Sequence, residues 1–278
     1  MQGRGEVQLT RRAAVLGSPV AHSLSPVLHT AAYSALGLTG WSYERRECTE
    51  RELAGFVAGL GAEWAGLSLT MPLKRVALDV ADSASELAVA VGAANTLVFG
   101  PTGRYADNTD VLGMVDALRE AGVSRIGSAV VLGAGGTAQA ALAALARLGE
   151  RAPTVVVRDA ARARPLLETA ERLGVAVTLR GWTDEGLLDG ADVVVSTVPR
   201  GAADALTRAR RGGGVVFDVV YAPWPTPLAS WALAAGGRVV SGLDLLLHQA
   251  GHQVRLMTGS PPPLDVMRVA LHAAVSPG

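Results

Sequence analysis

The chain has 278 residues, and its 25 basic and 25 acidic side chains give a formal net charge of zero at pH 7. Hydrophobic residues make up 49% and charged residues 18%, a balance that excludes an intrinsically disordered chain and allows two domains of ordinary size. The neutral charge, without a basic run interleaved with aromatic residues, argues against a nucleic-acid partner. No run approaches the roughly 20 apolar residues of a membrane span, so we expect no membrane partner either.

The N-terminal stretch and the cysteine content bear on the compartment. The stretch "MQGRGEVQLTRRAAVLG" lacks the apolar core of a signal peptide. Cys48 is the only cysteine, so the chain can form neither an internal disulfide framework nor a thiolate metal site by itself. We therefore expect a soluble cytoplasmic protein.

Strand-like apolar runs alternate with helical patterns through most of the chain, which predicts an α/β fold with parallel sheets covered by helices. In the first part we predict strands at residues 13–17, 41–48 and 64–70, helices at 25–37, 50–61 and 73–81, and a hairpin over 94–108. The pattern restarts near residue 111, with helices predicted at 111–122 and 137–149 and strands within 128–136, 154–160, 191–199 and 214–221. A helical tail follows, over 242–259 and 263–275.

The first turn in this order, "SPVAHSLSP", places Ser23 and Ser25 two residues apart directly after the first predicted strand. Serines between prolines are typical of a surface turn. Two hydroxyl groups held on one turn could also bind a ligand, and the stretch alone leaves both interpretations open.

Lys74 is the only lysine among the 25 basic residues and follows the strand of "SLTMPLK". Asp107 and Asp110 of "ADNTDVLG" also lie at a predicted strand end, where open α/β sheets bind ligands. A lysine beside an aspartate can transfer a proton, whereas arginine does not readily release one. These residues therefore predict general acid–base chemistry, and the alternative is one remaining surface lysine.

The stretch "VVLGAGGTAQAAL" places Gly133, Gly135 and Ala138 in the pattern G-x-G-x-x-A between a strand and a helix. Glycines permit a tight turn and let a pyrophosphate approach the amides at the positive end of a helix. A second predicted strand ends near residue 157, as a dinucleotide site requires. We predict dinucleotide binding, and the alternative is a purely structural turn.

The tip of that second strand bears on the choice of cofactor. Arg158 and Asp159 stand side by side there, followed by Arg162 and Arg164. Arginine favours the 2′-phosphate of NADP, and a bare carboxylate favours the ribose of NAD. The three arginines favour NADP, although Asp159 could support NAD or could simply cap the following helix.

The remaining polar candidates have structural alternatives. Asn95 starts a predicted strand and could contact a polyol through its amide or serve a turn. Gln249 and Gln253 share a helical face, and His248 and His252 have the i, i+4 spacing of a metal pair but lack an acidic third ligand. We predict no metal site, and we expect His22 and His29 to cap or pack.

Taken together, "GSPVAHSLSPVLH", "SLTMPLK", "GAANTL", "ADNTDVLG", "GAGGTA", "STVP", "DVVYAPWPTPL" and "GLDLLLHQA" resemble the shikimate dehydrogenase family in order and spacing, over roughly residues 13 to 270. The resemblance implies the reversible reduction of 3-dehydroshikimate to shikimate by NADPH, in aromatic amino-acid biosynthesis. It implies a substrate domain at 1–111, a Rossmann-type cofactor domain at 112–240 and a helical segment at 241–278 that returns to the first domain, with the active site in the cleft. The family includes monomers and homodimers.

Site residues follow from the resemblance motif by motif. Lys74 and Asp110 form the implied catalytic pair, and Ser23 and Ser25 hold the substrate carboxylate. The remaining implied substrate ligands are Thr70, Asn95, Tyr221 and Gln249, and the implied cofactor residues are Gly133, Ala134, Gly135, Gly136, Thr137, Arg158, Val219, Gly242 and Glu86.

Four residues depart from the family pattern. Ser68 replaces the usual asparagine, which we expect to change local hydrogen bonding only. Val157 and Asp159 replace polar neighbours of Arg158 and put the NADP preference in question, and Thr137 replaces the more frequent alanine of the glycine loop.

Two alternatives remain open. A quinate or aminoshikimate dehydrogenase using NAD or NADP is the nearest, but relatives that use quinate often have threonine at the position of Ser25. A non-catalytic dinucleotide sensor is the other, and it would not need both Lys74 and Asp110.

Overall fold

The structure is a computed structural model that describes residues 10–184, 186–208 and 214–276. The predicted absence of a signal peptide concerns residues 1–17, of which 1–9 lie outside the described residues. The chain forms two compact units. The first unit comprises residues 10–85, 93–107 and 250–276, and the second unit comprises the described residues within Glu86–Gly92 and Asn108–Gln249.

The first unit contains a six-stranded sheet in the order β2-β1-β3-β5-β6-β4. Strands β1, β2 and β3 are parallel, whereas β5 runs antiparallel to β3 and to β6. The strands are β1 (Arg11–Gly17), β2 (Trp41–Glu47), β3 (Trp64–Leu69), β4 (Ser83–Ala84), β5 (Thr96–Gly100) and β6 (Gly103–Asp107), and the helices are α1 (Ser25–Ala35), α2 (Glu50–Ala58) and α9 (Leu264–Val275). Helix α9 packs against α1, in agreement with the predicted return of the C-terminal segment.

The second unit contains a parallel sheet in the order β12-β11-β10-β7-β8-β9. Numbered along this unit, the order is the 3-2-1-4-5-6 of dinucleotide-binding folds, with the reversal between β7 and β10. The strands are β7 (Ala129–Leu132), β8 (Thr154–Val157), β9 (Thr178–Gly181), β10 (Val193–Ser196), β11 (Val215–Asp218) and β12 (Arg238–Ser241). The helices are α3 (Glu86–Val91), α4 (Thr109–Glu120), α5 (Gly136–Arg147), α6 (Arg164–Leu173) and α7 (Pro227–Ala234), with 3-10 helices at Ala160–Ala163 and Asp204–Arg208.

Valine-rich runs explain why the central strands of the second unit form. Strands β7, β10 and β11 are buried along their whole length, as expected for parallel strands covered by helices on both faces. Their side chains join a core that includes Val130, Val194, Val216 and Leu228. Helix α8 (Gly242–Thr258) contributes residues 242–249 to this unit and 250–258 to the first.

The predicted hairpin over 94–108 is confirmed by the antiparallel pairing of β5 and β6. The predicted helix over 73–81 is wrong, because this segment forms successive turns. A helix would give the carbonyl of Lys74 to the amide of Leu78, but that carbonyl accepts from Ala94 N (2.7 Å), and Leu78 N donates to Arg75 O instead. Tertiary contact with Ala94, two residues before β5, therefore overrides the local pattern.

The division into units differs from the predicted boundaries at 111/112 and 240/241. Residues 86–92 and 108–111 group with the second unit, as do 241–249. Among the described residues, no helix combines the length and apolar character needed to cross a bilayer.

Candidate functional site

Four predicted site residues of the first unit follow the two strands at which its sheet order reverses. The order runs outward from β1 to β2 on one side and to β3 on the other, and such a point is where open α/β sheets bind ligands. Ser23 and Ser25 follow the carboxyl end of β1, whereas Thr70 and Lys74 follow that of β3. The fold thus brings the two sequence motifs to one sheet edge.

Three backbone hydrogen bonds hold this edge together. Thr70 N donates to Leu16 O (2.9 Å), Leu69 N donates to Asn95 O (2.7 Å), and Ala94 N donates to Lys74 O (2.7 Å). Asn95 is buried, and Thr70 and Lys74 are half-buried. Residues 70, 74 and 95 therefore converge although they come from separate motifs.

The two serines interact with each other. Ser23 Oγ donates to Ser25 Oγ (3.2 Å) and also accepts from Ser25 N (3.3 Å), while Ser25 begins α1. Arg45 Nε donates to the carbonyl of Ser23 (2.8 Å), which fixes the turn from the neighbouring strand β2. The turn interpretation is therefore correct as geometry, and it leaves two adjacent hydroxyl groups at the sheet edge.

Ser68, the departure from the family pattern, is buried in β3. Its hydroxyl accepts from Tyr43 OH (2.6 Å) and donates to Gln253 Oε1 (2.7 Å). His29 is also buried and stacks on the ring of Tyr43 at 4.0 Å, so it packs as expected, whereas His22 is exposed. Burial lowers the pKa of His29 from 6.5 to about 4, which keeps the ring neutral near pH 7.

In the second unit the glycine loop joins β7 to α5 at the point where the sheet order reverses. Gly133 has a φ of +104°, and a Cβ there would lie 2.7 Å from Thr197 Oγ1, so glycine is required on both grounds. Gly135 and Gly136 are exposed, and a Cβ on either would meet nothing within 4 Å. The backbone at the start of α5 is therefore accessible, and the first amides of a helix have no intrahelical acceptor.

The residues after β8 take different roles. Asp159 Oδ1 accepts from Ala161 N (2.9 Å), so this carboxylate caps the 3-10 helix, as one of the interpretations proposed. Arg164 pairs with Glu168 (3.0 Å). Arg158 and Arg162 are exposed, and Arg158 directly follows the carboxyl end of β8, where a nucleotide 2′-phosphate would lie in this fold.

The fold brings Val219, Tyr221 and Gly242 together. A Cβ on Gly242 would lie 2.0 Å from Val219 O and 3.1 Å from Tyr221 Cδ1, so glycine permits this close approach. Asp218 at the end of β11 holds the same loop, because its carboxylate accepts from Val220 N (3.2 Å) and from Thr226 Oγ1 (2.8 Å). Burial raises the pKa of Asp218 above its ordinary value.

Asp110 and Gln249 lie on two helices of the second unit that touch. Asp110 is buried in the first turn of α4, and one turn later a Cβ on Gly113 would lie 2.8 Å from Gln249 N. Gln249 Nε2 donates to Leu246 O within α8 (3.0 Å). At the other end of α4, Glu120 accepts a hydrogen bond from His248 Nε2 of α8 (2.7 Å).

Glu86 is exposed at the start of α3, and its contact with cofactor stays a prediction. His248 and His252 belong to no cluster of three or more metal-ligating side chains within the described part of the chain. Sequence reasoning did not select Tyr43, Thr96, Gln253 or Asp218. Only Gln253 gave a local signal, as a polar residue on the face of α8 that also carries Gln249.

Three family models match successive parts of the chain. The substrate-binding domain of shikimate dehydrogenase matches residues 15–97, and the C-terminal domain of shikimate 5′-dehydrogenase matches 242–272. A model described as NADP oxidoreductase, coenzyme F420-dependent, matches residues 128–220, which include the glycine loop. A curated shikimate dehydrogenase (NADP(+)) from Geobacter sp. strain M21 is 38% identical over 284 residues, with 96% of both chains covered.

The chain belongs to the shikimate dehydrogenase family. Among solved structures, the shikimate dehydrogenase of Mycobacterium tuberculosis superposes with a TM-score of 0.86 at 47% identity and covers 95% of this chain and 99% of its own. The shikimate 5-dehydrogenase of Thermus thermophilus, in complex with NADP(H) and shikimate, gives a TM-score of 0.84 at 33% identity, with 95% and 100% covered. Solved shikimate dehydrogenases thus match almost the whole chain in fold.

The glycine loop of this family member fits a dinucleotide. The exposed backbone of Gly135 and Gly136 stands at the N-terminus of the 12-residue helix α5, where the helix dipole favours a phosphate. The side-chain-free surface there leaves room for close approach to the amides. Arg158, exposed at the end of β8, is predicted to bind a 2′-phosphate.

Proposed function

We propose that the protein is an NADP-dependent shikimate dehydrogenase, which reversibly reduces 3-dehydroshikimate to shikimate. The observation that carries this proposal is near-complete coverage by relatives of that name, together with the sole lysine at the sheet edge where Thr70 and Asn95 converge. The Thermus thermophilus relative was solved with shikimate and NADP(H). Shikimate dehydrogenase activity takes part in aromatic amino-acid biosynthesis.

The first unit is proposed to bind the substrate through neutral donors. Ser23 and Ser25 donate to its carboxylate, which avoids bringing a fixed charge into a half-buried site. Thr70 and Asn95 bind ring hydroxyl groups, and Gln249 and Tyr221 of the second unit are proposed as further ligands. Hydroxyl and amide groups suit a polyol because each can both donate and accept.

Lys74 is proposed to handle the proton of the reacting oxygen. NADPH, when bound, supplies hydride to the substrate carbonyl, so negative charge develops on that oxygen. A half-buried ammonium group stabilises this charge and can give up its proton, which a guanidinium cannot do readily. Asp110 is the proposed partner in proton transfer, and this pairing rests on the sequence motif.

The second unit is proposed to hold NADP. Residues Gly133 to Thr137 would bind the pyrophosphate at the start of α5, Arg158 the 2′-phosphate, and Val219 and Gly242 the nicotinamide. The capping role of Asp159 supports NADP over NAD, because one of its oxygens already accepts from Ala161 N. Asp159 then opposes phosphate binding by Arg158 less strongly.

Absorbance at 340 nm tests the proposal directly. Purified protein is mixed with shikimate and NADP⁺, with shikimate and NAD⁺, and with quinate and either cofactor. We expect the largest kcat/KM for shikimate with NADP⁺. A larger value with quinate would identify a quinate dehydrogenase, and no absorbance change with any pair would indicate a dinucleotide sensor.

The proposal also covers the cellular compartment and the oligomeric state. The buried thiol of Cys48, unpaired with any other cysteine, suits a reducing compartment, and we assign the enzyme to the cytoplasm. A monomer or a homodimer is expected, and sedimentation at micromolar concentration would distinguish them.

A further inference from the structure

Gln253 occupies the centre of a buried polar network in the first unit. Its side chain is 1% exposed on α8 and makes hydrogen bonds to three other elements. The Oε1 atom accepts from Ser68 Oγ of β3 (2.7 Å) and from His29 Nε2 of α1 (3.2 Å). The Nε2 atom donates to Thr96 Oγ1 of β5 (3.1 Å) and to Asn95 O (3.3 Å).

The chemistry of each group fixes the direction of these bonds. An amide oxygen can only accept, so His29 Nε2 carries the ring proton, and its Nδ1 accepts from Tyr33 OH (3.3 Å). The pKa of His29, lowered to about 4, maintains that neutral form. Ser68 gives its only proton to Gln253 and therefore must accept from Tyr43 OH (2.6 Å).

The same direction continues on both sides of Gln253. Tyr43 gives its proton to Ser68, and Ser68 gives its own to Gln253, so the bonds on this side run toward Gln253. On the other side Thr96 Oγ1 accepts from Gln253, and its own proton goes to Asn95 Oδ1 (2.9 Å).

The result is one continuous series of hydrogen bonds with a single direction. It links the four side chains of Tyr43, Ser68, Gln253 and Thr96 to the amide oxygen of Asn95. The oxygen of the Asn95 amide is thereby assigned to Thr96, so the other terminal atom of that amide is its NH₂ group. The series ends at Asn95, the residue proposed to bind a ring hydroxyl group.

We infer that Gln253 is a positioning residue of the substrate site, which fixes the amide orientation of Asn95 through Thr96. The inference rests on the proposed function, because it assumes that Asn95 binds the substrate. Glutamine suits this position because a single amide accepts at one atom and donates at the other. A hydrophobic residue would interrupt the series, and a carboxylate would reverse half of it.

Steady-state kinetics of Gln253→Met test this inference. We expect the KM for shikimate to rise about tenfold, the effect of losing one well-oriented hydrogen bond to substrate, with kcat and the KM for NADP⁺ within about twofold. Thr96→Val removes the same link, so combining it with Gln253→Met should add little to the increase. Thr96→Ser should restore the wild-type KM.

The matched control is Tyr33→Phe. This change removes a buried hydrogen bond from the same network, to His29 Nδ1, but leaves every bond of Gln253 in place. We expect it to lower thermal stability without changing the KM for shikimate. An equal KM increase in Tyr33→Phe, or an unchanged KM in Gln253→Met, would overturn the inference.

Gln253→Glu gives a readout that does not depend on comparing stabilities. An ionised carboxylate would accept from Thr96 and so withdraw the proton from Asn95 Oδ1, whereas the protonated acid would donate to Thr96 as the native amide does. Burial raises the pKa of the introduced carboxyl group. We expect the KM for shikimate to fall toward the wild-type value as pH is lowered through that pKa, and a pH-independent ratio of variant to wild-type KM would overturn the inference.

The wild-type protein distinguishes this failure from that of the proposed function. If it does not oxidise shikimate with NADP⁺, the proposed function fails and the inference fails with it. If it does so and the Gln253 variants keep the wild-type KM, only the inference fails.

Discussion

Lys74 is the only lysine in a chain with 25 basic residues, and it is half-buried where two strand ends of the first unit meet. The carbonyl of this residue accepts from Ala94 N, so its backbone is fixed to the segment that carries Asn95. Its side chain is thus attached to a rigid support at the proposed reacting centre. This combination makes the residue the most direct test of the chemistry.

We predict that Lys74→Ala and Lys74→Arg both lower kcat by about 10²–10⁴, with a much smaller change in the KM for shikimate. Arginine keeps the positive charge but cannot readily release a proton. Initial rates at 340 nm measure the effect, and added methylammonium should restore part of the activity of the alanine variant only. Wild-type kcat in Lys74→Arg would show that charge alone is sufficient.

Arg158 tests the cofactor assignment at the same scale. We predict that Arg158→Ala raises the KM for NADP⁺ about tenfold and leaves that for NAD⁺ unchanged, because only the former carries a 2′-phosphate. Arg164→Ala is the matched control, since Arg164 pairs with Glu168. The assignment is wrong if both variants affect NADP⁺ equally.

At the scale of elements, the close contact between α4 and α8 depends on a glycine, Gly113, which has no side chain. A Cβ on Gly113 would lie 2.8 Å from the backbone N of Gln249, and a helix backbone cannot move as a side-chain tip can. Asp110 and Gln249 are carried by these two helices. Their spacing is therefore set by glycine.

We predict that Gly113→Ala lowers stability by about 1–3 kcal/mol through overpacking and raises the KM for shikimate. Gly55→Ala is the control, because Gly55 also lies inside a helix but a Cβ there meets nothing within 4 Å. That variant should gain roughly 0.5–1 kcal/mol from helix propensity. Urea unfolding measures the change in unfolding free energy of each variant. A change of the same sign in both variants would contradict the argument.

Helix α1 carries a pH-dependent contribution to stability through His29. Its pKa is lowered to about 4 in the folded chain against an ordinary 6.5, so the unfolded chain binds more protons between these values. Stability from this group is complete above pH 6.5 and is lost as pH falls toward 4. The total is about 3 kcal/mol.

Urea unfolding at pH 7.5 and pH 5 measures this contribution. We predict that His29→Gln, which retains a donor for Gln253 Oε1 but does not titrate, narrows the difference in unfolding free energy between the two pH values. Exposed His22→Gln should leave the difference unchanged. An equal difference in wild type and His29→Gln would contradict the prediction.

The sequence predicted the elements whose signals are local and missed those that depend on distant contacts. The turn between β7 and α5 was predicted because adjacent residues, the glycines of the loop, specify a tight turn before a helix. The role of Gln253 was not predicted, because its hydrogen-bond partners Thr96 and His29 lie 157 and 224 positions away in the sequence. The segment 73–81 was misassigned because a hydrogen bond from Ala94 replaced a helical one.

At the scale of the whole molecule, the chain passes between the two units several times. The first unit needs residues 250–276 as well as the N-terminal strands, because Met257 packs with Ala13 and Ala65, and α9 packs on α1. The predicted boundaries at 111/112 and 240/241 followed changes of pattern along the sequence. Periodicity does not reveal which sheet a helix will join.

We predict that a chain ending at Gln249 keeps NADP⁺-dependent thermal stabilisation but loses shikimate oxidation and the cooperative unfolding of the first unit. The second unit retains all of its described residues, whereas the first loses part of its core. A chain ending at residue 276 is the control. Shikimate turnover by the shorter chain would contradict the division into units.

The same interleaving has a consequence for synthesis on the ribosome. The last strand of the first sheet ends at Asp107, but Ala250 begins the segment that completes that unit. At about 5–20 residues per second, these 143 positions (250 − 107) take roughly 7–30 s to translate. The N-terminal strands therefore emerge first and finish folding last, and a nascent-chain chaperone has that interval in which to bind them.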